Sequence, residues 1–203
     1  MRLNNYLNEG NYELEEFNEL IKKDCKYYLD LVDNCIFTRG MHPGRILGKK
    51  TVRQDRTPKG MEDDIFKKFN KWLVDNGHLK RDNVVIASSL NKPVTMFGRN
   101  HYIFPIGKFN YTFVKTEDIN ISSSKSGWHQ DTVEEYFENP KTFDKLPVPF
   151  HTYFVTNKHI KKAYQHQFEI WFDCKEYYFA NWAEYAWSSL KSEQKLIRRP
   201  INV

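Results

Sequence analysis

Hydrophobic residues recur at three- and four-residue steps in two stretches of the chain, 11–31 and 62–75. In the first, Glu, Asn and Lys separate the apolar positions, which are Leu14, Phe17, Ile21, Cys25, Tyr28 and Leu31. The second is followed by Gly77, a residue type that often ends helices. Such spacing places apolar side chains on one face of a helix. We therefore predict helices at 11–31 and 62–75, and a shorter helix at 157–165.

Short runs rich in β-branched and aromatic residues indicate strands between and after these helices. The predicted strands are 35–40, 83–89, two runs within 102–114 that divide at Gly107-Lys108, 151–155, 166–174 and 176–180. The stretch 41–60 is rich in Gly, Pro, Arg and Lys and is predicted to be a long loop. Helices that come early and strands that come mostly later favour an α+β fold. No repeat or linker divides the chain, so we predict one domain, 1–203.

The composition is typical of a packed globular protein. Aromatic residues make up 16% of the 203 residues and charged residues 28%, with a modest net charge of +5. No run approaches the roughly 18 apolar residues of a membrane span, and the N-terminus lacks the apolar core of a signal peptide. We therefore expect a cytoplasmic protein that has no membrane partner.

Several common chemistries have no motif in the chain. Cys25, Cys35 and Cys174 lack metal-ligand spacing, and the seven histidines form no HExxH or Cys/His array, so no metal site is expected. The phosphate-binding patterns GxGxxG and GxxxxGK[ST] are absent, and so is the GxSxG nucleophile elbow. The cysteines are expected to be reduced and mainly buried.

Glu169 is the least expected residue of the predicted strand 166–174. Its immediate neighbours are apolar, and a carboxylate among them is costly unless it is paired or solvated. In an extended chain, Gln167, Glu169 and Trp171 share one face. Two interpretations are open: a solvent-facing position on an edge strand, or a partly buried polar pair with Gln167 that contacts a ligand.

Three further groups of polar residues are candidates for ligand contact. Arg39 ends the predicted strand 35–40 and is either a surface arginine or a bidentate ligand for a phosphate or carboxylate. Ser88 and Ser89 follow an apolar run and either cap its end or direct a hydroxyl into a cleft. Arg53 and Arg56 lie in the predicted loop, where they are either solvated or in contact with phosphate.

The order of these residues resembles a known enzyme group. An Arg on an early strand, a Ser-rich strand end and a late Gln-x-Glu are similar to the R-S-E group of ADP-ribosyltransferases, here in "FTRG", "IASSL" and "HQFE". The chain also resembles uncharacterised phage-encoded proteins associated with this fold. The resemblance spans roughly residues 11–180, and about a dozen positions carry it. It implies N-terminal helices packed on a split antiparallel β-sandwich.

The resemblance implies a role for each matching residue, with NAD as the co-substrate. Arg39 would hold a phosphate or ribose of NAD, and the Gly40 backbone would contact the nicotinamide amide. Ser88 would brace the ribose and orient Glu169, the catalytic residue. Gln167 matches the position that helps to select the acceptor.

Other residues would complete the NAD site. Ser89 would lie beside the cofactor, and Arg53 and Arg56 would approach its phosphates. Tyr102 and Phe104 are candidates for stacking on nicotinamide. The chain departs from the Ser-Thr-Ser pattern of the family because Leu90 replaces the third hydroxyl.

The implied function is mono-ADP-ribosylation of a host protein or nucleic acid, in the host cytoplasm, by a phage-encoded enzyme. The Q-x-E form disfavours arginine as the acceptor. The alternative is a catalytically weakened or inactive binding protein on the same fold, such as a virion component or an inhibitor of a host defence system. Under the enzyme hypothesis, Glu169→Gln is expected to abolish NAD cleavage with little loss of folding.

Overall fold

The computed structural model describes residues 14–33, 35–41, 46–54, 62–89, 98–115, 153–181 and 185. Its helices are α1 (Leu14–Asp24), α2 (Lys26–Val32), α3 (Asp63–Asp75) and α4 (Ile160–Gln165). Its strands are β1 (Thr38–Met41), β2 (Leu47–Thr51), β3 (Val85–Ala87), β4 (Arg99–Pro105), β5 (Asn110–Val114), β6 (Phe154–Thr156), β7 (Glu169–Asp173) and β8 (Glu176–Asn181). The fold is α+β, as predicted.

The described residues fall into two compact units, each built from separated segments of the chain. The first unit takes its residues from Met1–Val52, Ser89–Phe109 and Cys174–Val203, and the second from Arg53–Ser88 and Asn110–Asp173. Each unit contains one antiparallel four-stranded sheet, in the order β1-β4-β8-β2 in the first and β3-β7-β5-β6 in the second. Consecutive strands therefore change sheet at four points: β2 to β3, β3 to β4, β4 to β5 and β7 to β8.

The helical segment of the first unit is divided at Cys25, where a single helix was predicted. The carbonyl of Asp24 accepts a hydrogen bond from the Gly107 backbone (2.9 Å), and the Asp24 carboxylate accepts one from the Tyr178 hydroxyl (2.8 Å). A carbonyl used in this way no longer continues the helical ladder, so the helix breaks there. The Cys25 thiol is buried and donates to the carbonyl of Phe104.

The core of the second unit lies between α3 and one face of its sheet. The helix prediction for 62–75 is confirmed to within one residue, and Gly77 follows with the positive φ (74°) expected of a helix stop. Aromatic contacts join the helix to the sheet, with Phe69 lying 6.5 Å from Trp171 and 6.1 Å from Phe154 between ring centroids. The buried members of this core are Ile65, Phe66, Phe69, Leu73, Val84, Val114, Phe154 and Trp171.

Two strand predictions were wrong. Strand β2 lies within the stretch 41–60, which was predicted to be a loop because Gly and Lys are poor strand formers. Its Gly48 lies opposite Phe179 of β8, whose ring occupies the space a side chain would take. The strand predicted at 166–174 begins only at Glu169.

In the described part of the chain, no helix is long and apolar enough to cross a membrane.

Candidate functional site

Glu169 is the first residue of β7, which is an inner strand of its sheet. β7 pairs with β3 on one side and with β5 on the other, and Glu169 is only 3% exposed. The interpretation of Glu169 as a solvent-facing residue on an edge strand is therefore wrong. Its carboxylate is buried on the face of the sheet that also carries Trp171.

The partner of the Glu169 carboxylate is Arg81, in the segment between α3 and β3. One carboxylate oxygen, Oε1, lies 3.2 Å from Nη2 and 3.4 Å from Nε of Arg81. The indole Nε1 of Trp171 donates to the same oxygen at 2.5 Å. Because Arg81 is only 2% exposed, this is a fully buried ion pair supplemented by a neutral donor. Such a pair compensates much of the desolvation cost that made Glu169 unexpected.

The position of Arg81 is fixed from two directions. Its backbone N–H donates to the side-chain Oδ1 of Asn70 (2.6 Å), a polar residue on the buried face of α3. Its guanidinium carbon lies 5.8 Å from the ring centroid of Trp171, within the range of a cation–π contact. The helix, the following segment and the strand thus jointly determine where the Glu169 carboxylate lies.

Ser88 directly follows β3, and Glu169 begins β7, the strand with which β3 pairs. The pairs Val85–Phe172, Ile86–Trp171 and Ala87–Ile170 define the register of β3 against β7. The paired register ends there: Ser88 is the next residue after Ala87, and Glu169 is the residue before Ile170. Ser88 and Glu169, which sequence analysis had selected separately, therefore both adjoin the last residue pair of β3 and β7.

Ser89 follows with a buried hydroxyl. Its residue is 0% exposed, and within the ranges that the structure describes its Oγ has no hydrogen-bond partner. A buried hydroxyl in this state costs about 1–3 kcal/mol, so such positions call for a ligand or a bound water.

Gln167 does not share a strand face with Glu169, contrary to the prediction. It lies in the turn after α4 and has a left-handed backbone (φ 59°), so the alternation of faces in β7 does not reach it. Its backbone N–H donates to the carbonyl of Tyr164 at 3.2 Å, which closes the turn.

Arg39 lies in the first unit, on the edge strand β1, at one end of a polar row across the sheet. It is opposite His101 of β4, and His101 is in turn opposite Asn181 of β8. His101 is only 1% exposed, and its Nδ1 lies 2.9 Å from the carbonyl of Arg99, so Nδ1 carries a hydrogen. A guanidinium, an imidazole and an amide therefore share one face; sequence analysis selected only the guanidinium.

Of the other residues predicted to contact NAD, Gly40 lies beside Arg39, whereas Tyr102 and Phe104 are buried in the core. Gly40 lies in β1, next to Arg39 and opposite Asn100. Tyr102 and Phe104 are both 1% exposed and pack with Tyr185 in the core of the first unit. In this conformation neither ring has a face on which nicotinamide could stack.

The two loop arginines are only partly covered by the structure. Arg53 is exposed after β2, as a solvated or ligand-binding loop residue would be, whereas Arg56 lies outside the described residues.

Arg81 and Asn70 are the residues of the Glu169 site that sequence analysis missed. A sequence pattern could have indicated Arg81. A carboxylate inside an apolar strand requires a cation, and Arg81 lies two residues before 83–89, the other apolar run with polar ends. One earlier expectation must also change. Glu169→Gln would leave the Arg81 charge buried without its counter-ion, so the variant is not neutral for folding.

Within the described ranges, no group of three or more His, Cys, Asp or Glu side chains is arranged to hold a metal ion. Comparisons with protein-family models, with curated proteins and with solved structures found no match to this chain.

Proposed function

We propose that the protein is an NAD-dependent mono-ADP-ribosyltransferase with the corresponding α+β fold, and that it modifies a host protein or nucleic acid. The reaction breaks the bond between C1′ of the nicotinamide ribose and the ring nitrogen, and nicotinamide leaves with the electron pair. A nucleophile of the acceptor forms the new bond to C1′ and releases its proton. Glu169 accepts a hydrogen bond from the ribose 2′-hydroxyl, an interaction that strengthens as positive charge develops at C1′.

The observation that carries this proposal is that Ser88 and Glu169 both adjoin the last residue pair of β3 and β7, Ala87 with Ile170. The R-S-E arrangement needs a serine on the strand beside the catalytic glutamate, and Ser88 directly follows β3, the strand that pairs with β7 next to Glu169. The buried Ser89 hydroxyl, which has no partner within the described residues, adds a polar group that a ligand could satisfy. Arg39 and Gly40 lie side by side in β1, and the resemblance implies that they contact NAD.

The proposal requires a conformational step. Glu169 is 3% exposed, and one of its oxygens already accepts from Arg81 and Trp171. For the ribose to reach this carboxylate, the segment between α3 and β3 has to move Arg81 aside when NAD binds. Arg81 then has two states: a counter-ion of Glu169 in the structure described, and a displaced cation in the complex.

The test needs a variant that lacks the carboxylate without leaving a buried charge unpaired. The double variant Glu169→Gln/Arg81→Met removes both members of the ion pair, and the Gln amide oxygen can still accept from Trp171. Its control, Arg81→Lys, retains the carboxylate and a cation. Melting temperatures establish which proteins are folded, and nicotinamide release from NAD in the presence of a bacterial lysate measures activity.

We expect wild type to release nicotinamide and to transfer label from NAD to a macromolecule. The folded double variant is expected to release at least about a thousandfold less, whereas Arg81→Lys retains measurable release. Wild-type release that persists in the folded double variant would exclude Glu169 as the catalytic residue.

The buried ion pair itself supports a second function, a non-catalytic binding protein on the same scaffold. A carboxylate held by Arg81 and Trp171 beneath α3 stabilises the fold and needs no substrate. Such a protein would serve as a virion component or as an inhibitor of a host defence system. It predicts no nicotinamide release with any lysate. It also predicts no rise in melting temperature with NAD, whereas an NAD concentration of a hundred times Kd would stabilise an enzyme by about 2.7 kcal/mol.

A further inference from the structure

We infer that the surface formed by α4 and the turn after it binds single-stranded nucleic acid, with phosphates on its lysines and a base stacked on His166. This surface, the α4 surface, is defined by Lys158, Lys161, Lys162, His166 and Phe168. It lies within the second unit. The inference does not depend on catalysis, and it would hold equally for the non-catalytic alternative.

The segment of sequence that contains this surface carries basic residues and no acidic ones. The sequence from 145 to 168 contains four lysines and no Asp or Glu, although acidic residues are frequent elsewhere in the chain. Lys158, Lys161 and Lys162 are all exposed. Exposed lysines in a segment without acidic residues are complementary to a polyanion.

Beside these lysines, three aromatic rings stack from the core to the surface. Phe113 is buried, and its ring lies 5.9 Å from that of the half-buried Phe168, with an interplanar angle of 15°. Phe168 in turn stacks on the exposed His166 at 5.3 Å and 21°. The stack is anchored inside the protein and ends in a planar ring at the surface. Single-strand binding proteins use platforms of this kind to hold unpaired bases.

The backbone between the two stacked rings has a left-handed residue. His166 and Phe168 are two residues apart, and Gln167 between them has φ 59°, a left-handed conformation that is unfavourable for a residue with a side chain. His159, at the start of α4, has φ 57°. Strain of this kind is often associated with function. Because Lys162 and His166 are four residues apart around the end of α4, a cation and the stacking ring are neighbours.

The direct test is fluorescence anisotropy of a labelled 12-nucleotide single strand, titrated with the full chain at several salt concentrations. The triple variant Lys158→Gln/Lys161→Gln/Lys162→Gln is expected to bind at least tenfold more weakly. Its slope of log K against log salt should be lower in magnitude by about 2, because each lost phosphate contact removes about 0.7. His166→Ala is expected to weaken binding about tenfold and to leave the slope unchanged, because stacking releases no counterions.

The matched control is Lys67→Gln/Lys68→Gln/Lys71→Gln on α3, which removes the same charge from exposed lysines of the same unit and should change affinity by less than twofold. Melting temperatures confirm that each variant is folded.

The inference is overturned if both triple variants bind alike, or if wild type does not bind the strand at low salt. It is also overturned if polyglutamate competes as well as the oligonucleotide and His166→Ala has no effect, since the surface would then be a site for acidic proteins. The stacking would likewise be refuted if the protein bound a duplex as tightly as the single strand and if His166→Ala bound the single strand as tightly as wild type.

Discussion

At the scale of single residues, the burial of Glu169 and Arg81 combines a stability problem with a candidate for function. Neither charge is tolerable alone in the interior, and each makes the other possible. The pair is held by two separate elements, since Asn70 of α3 fixes the Arg81 backbone and Trp171 of β7 donates to the carboxylate. Glu169 can be catalytic as well as structural only if Arg81 can move away from its carboxylate.

Removing one member of the pair should cost far more than removing both. We expect Arg81→Met alone to lower the free energy of unfolding by about 3–5 kcal/mol, because it strands a buried carboxylate. The double variant Glu169→Gln/Arg81→Met should lie within about 1–2 kcal/mol of wild type. Urea unfolding of the four proteins in a double-mutant cycle measures the coupling. Additive losses in the two single variants would mean that the pair contributes nothing as a pair.

Cys25 gives the fold a dependence on alkaline pH. Burial, followed by the nearby Asp24 and Cys174, raises the pKa of the Cys25 thiol far above its ordinary value of 9.0. The folded state therefore keeps the proton while the unfolded chain loses it, so this contribution to stability is full below pH 9 and is lost as pH rises above it. At pH 10 the loss is about 1.4 kcal/mol from this group.

The measurement is urea unfolding of wild type and Cys25→Ala at pH 7 and pH 10. Cys25→Ala should be less stable at pH 7, because the Phe104 carbonyl loses its donor, but it should lose about 1.4 kcal/mol less than wild type between the two pH values. Equal pH dependence in the two proteins would show that the thiol ionises as readily when folded. Burial also raises the pKa of Tyr185, which adds a loss common to both proteins above pH 10.

At the scale of elements, the pairing of β2 with β8 depends on a missing side chain. A Cβ built on Gly48 would lie 2.6 Å from Cζ of Phe179, and that ring is itself 2% exposed and packed against His101. Gly48→Ala is therefore expected to destabilise the protein by about 1–3 kcal/mol, a fall in Tm of about 2–12 °C. In a Phe179→Leu background the same substitution should cost clearly less, as measured by thermal unfolding. An equal cost in both backgrounds would place the strain elsewhere.

The elements also show what sequence patterns can and cannot predict. The helix at 62–75 was predictable because its apolar period is local and independent of its partners. Strand β2 was not, because its glycine and lysines become favourable only beside β8. Phe179 lies opposite Gly48, and Glu176 lies diagonally across from Lys49, with which it forms a 2.7 Å ion pair.

The candidate site divides in the same way. Glu169 was conspicuous because a carboxylate inside an apolar run breaks a local rule. Its partner Arg81 lies 88 residues earlier in the chain and was hidden, since only tertiary packing brings the two together. The face assigned to Gln167 was wrong because a positive φ cannot be inferred from strand-like composition.

At the scale of the whole molecule, the two sheets depend on the same short piece of chain. β7 is an inner strand of the second sheet, between β3 and β5, and β8 is an inner strand of the first, between β4 and β2. Only Cys174 and Lys175 separate them in sequence. Neither unit is a continuous stretch of sequence, so neither sheet can be completed before the segment that carries these two strands has been synthesised.

This arrangement predicts that a chain ending at Gln167 will not fold. Each sheet would be left with one strand detached from the other two: β3 would lose its partner in the second sheet, and β2 would lose its partner in the first. The apolar faces that these inner strands cover would be exposed to water, so we expect no near-UV circular dichroism and no cooperative thermal transition. Adding the fragment 168–203 at tens of micromolar should restore both observations, because the missing strands supply paired edges and buried side chains to both units at once. Cooperative unfolding of the fragment 1–167 by itself would show that one unit is stable without its inner strand, and the interdependence argued from the strand order would not hold.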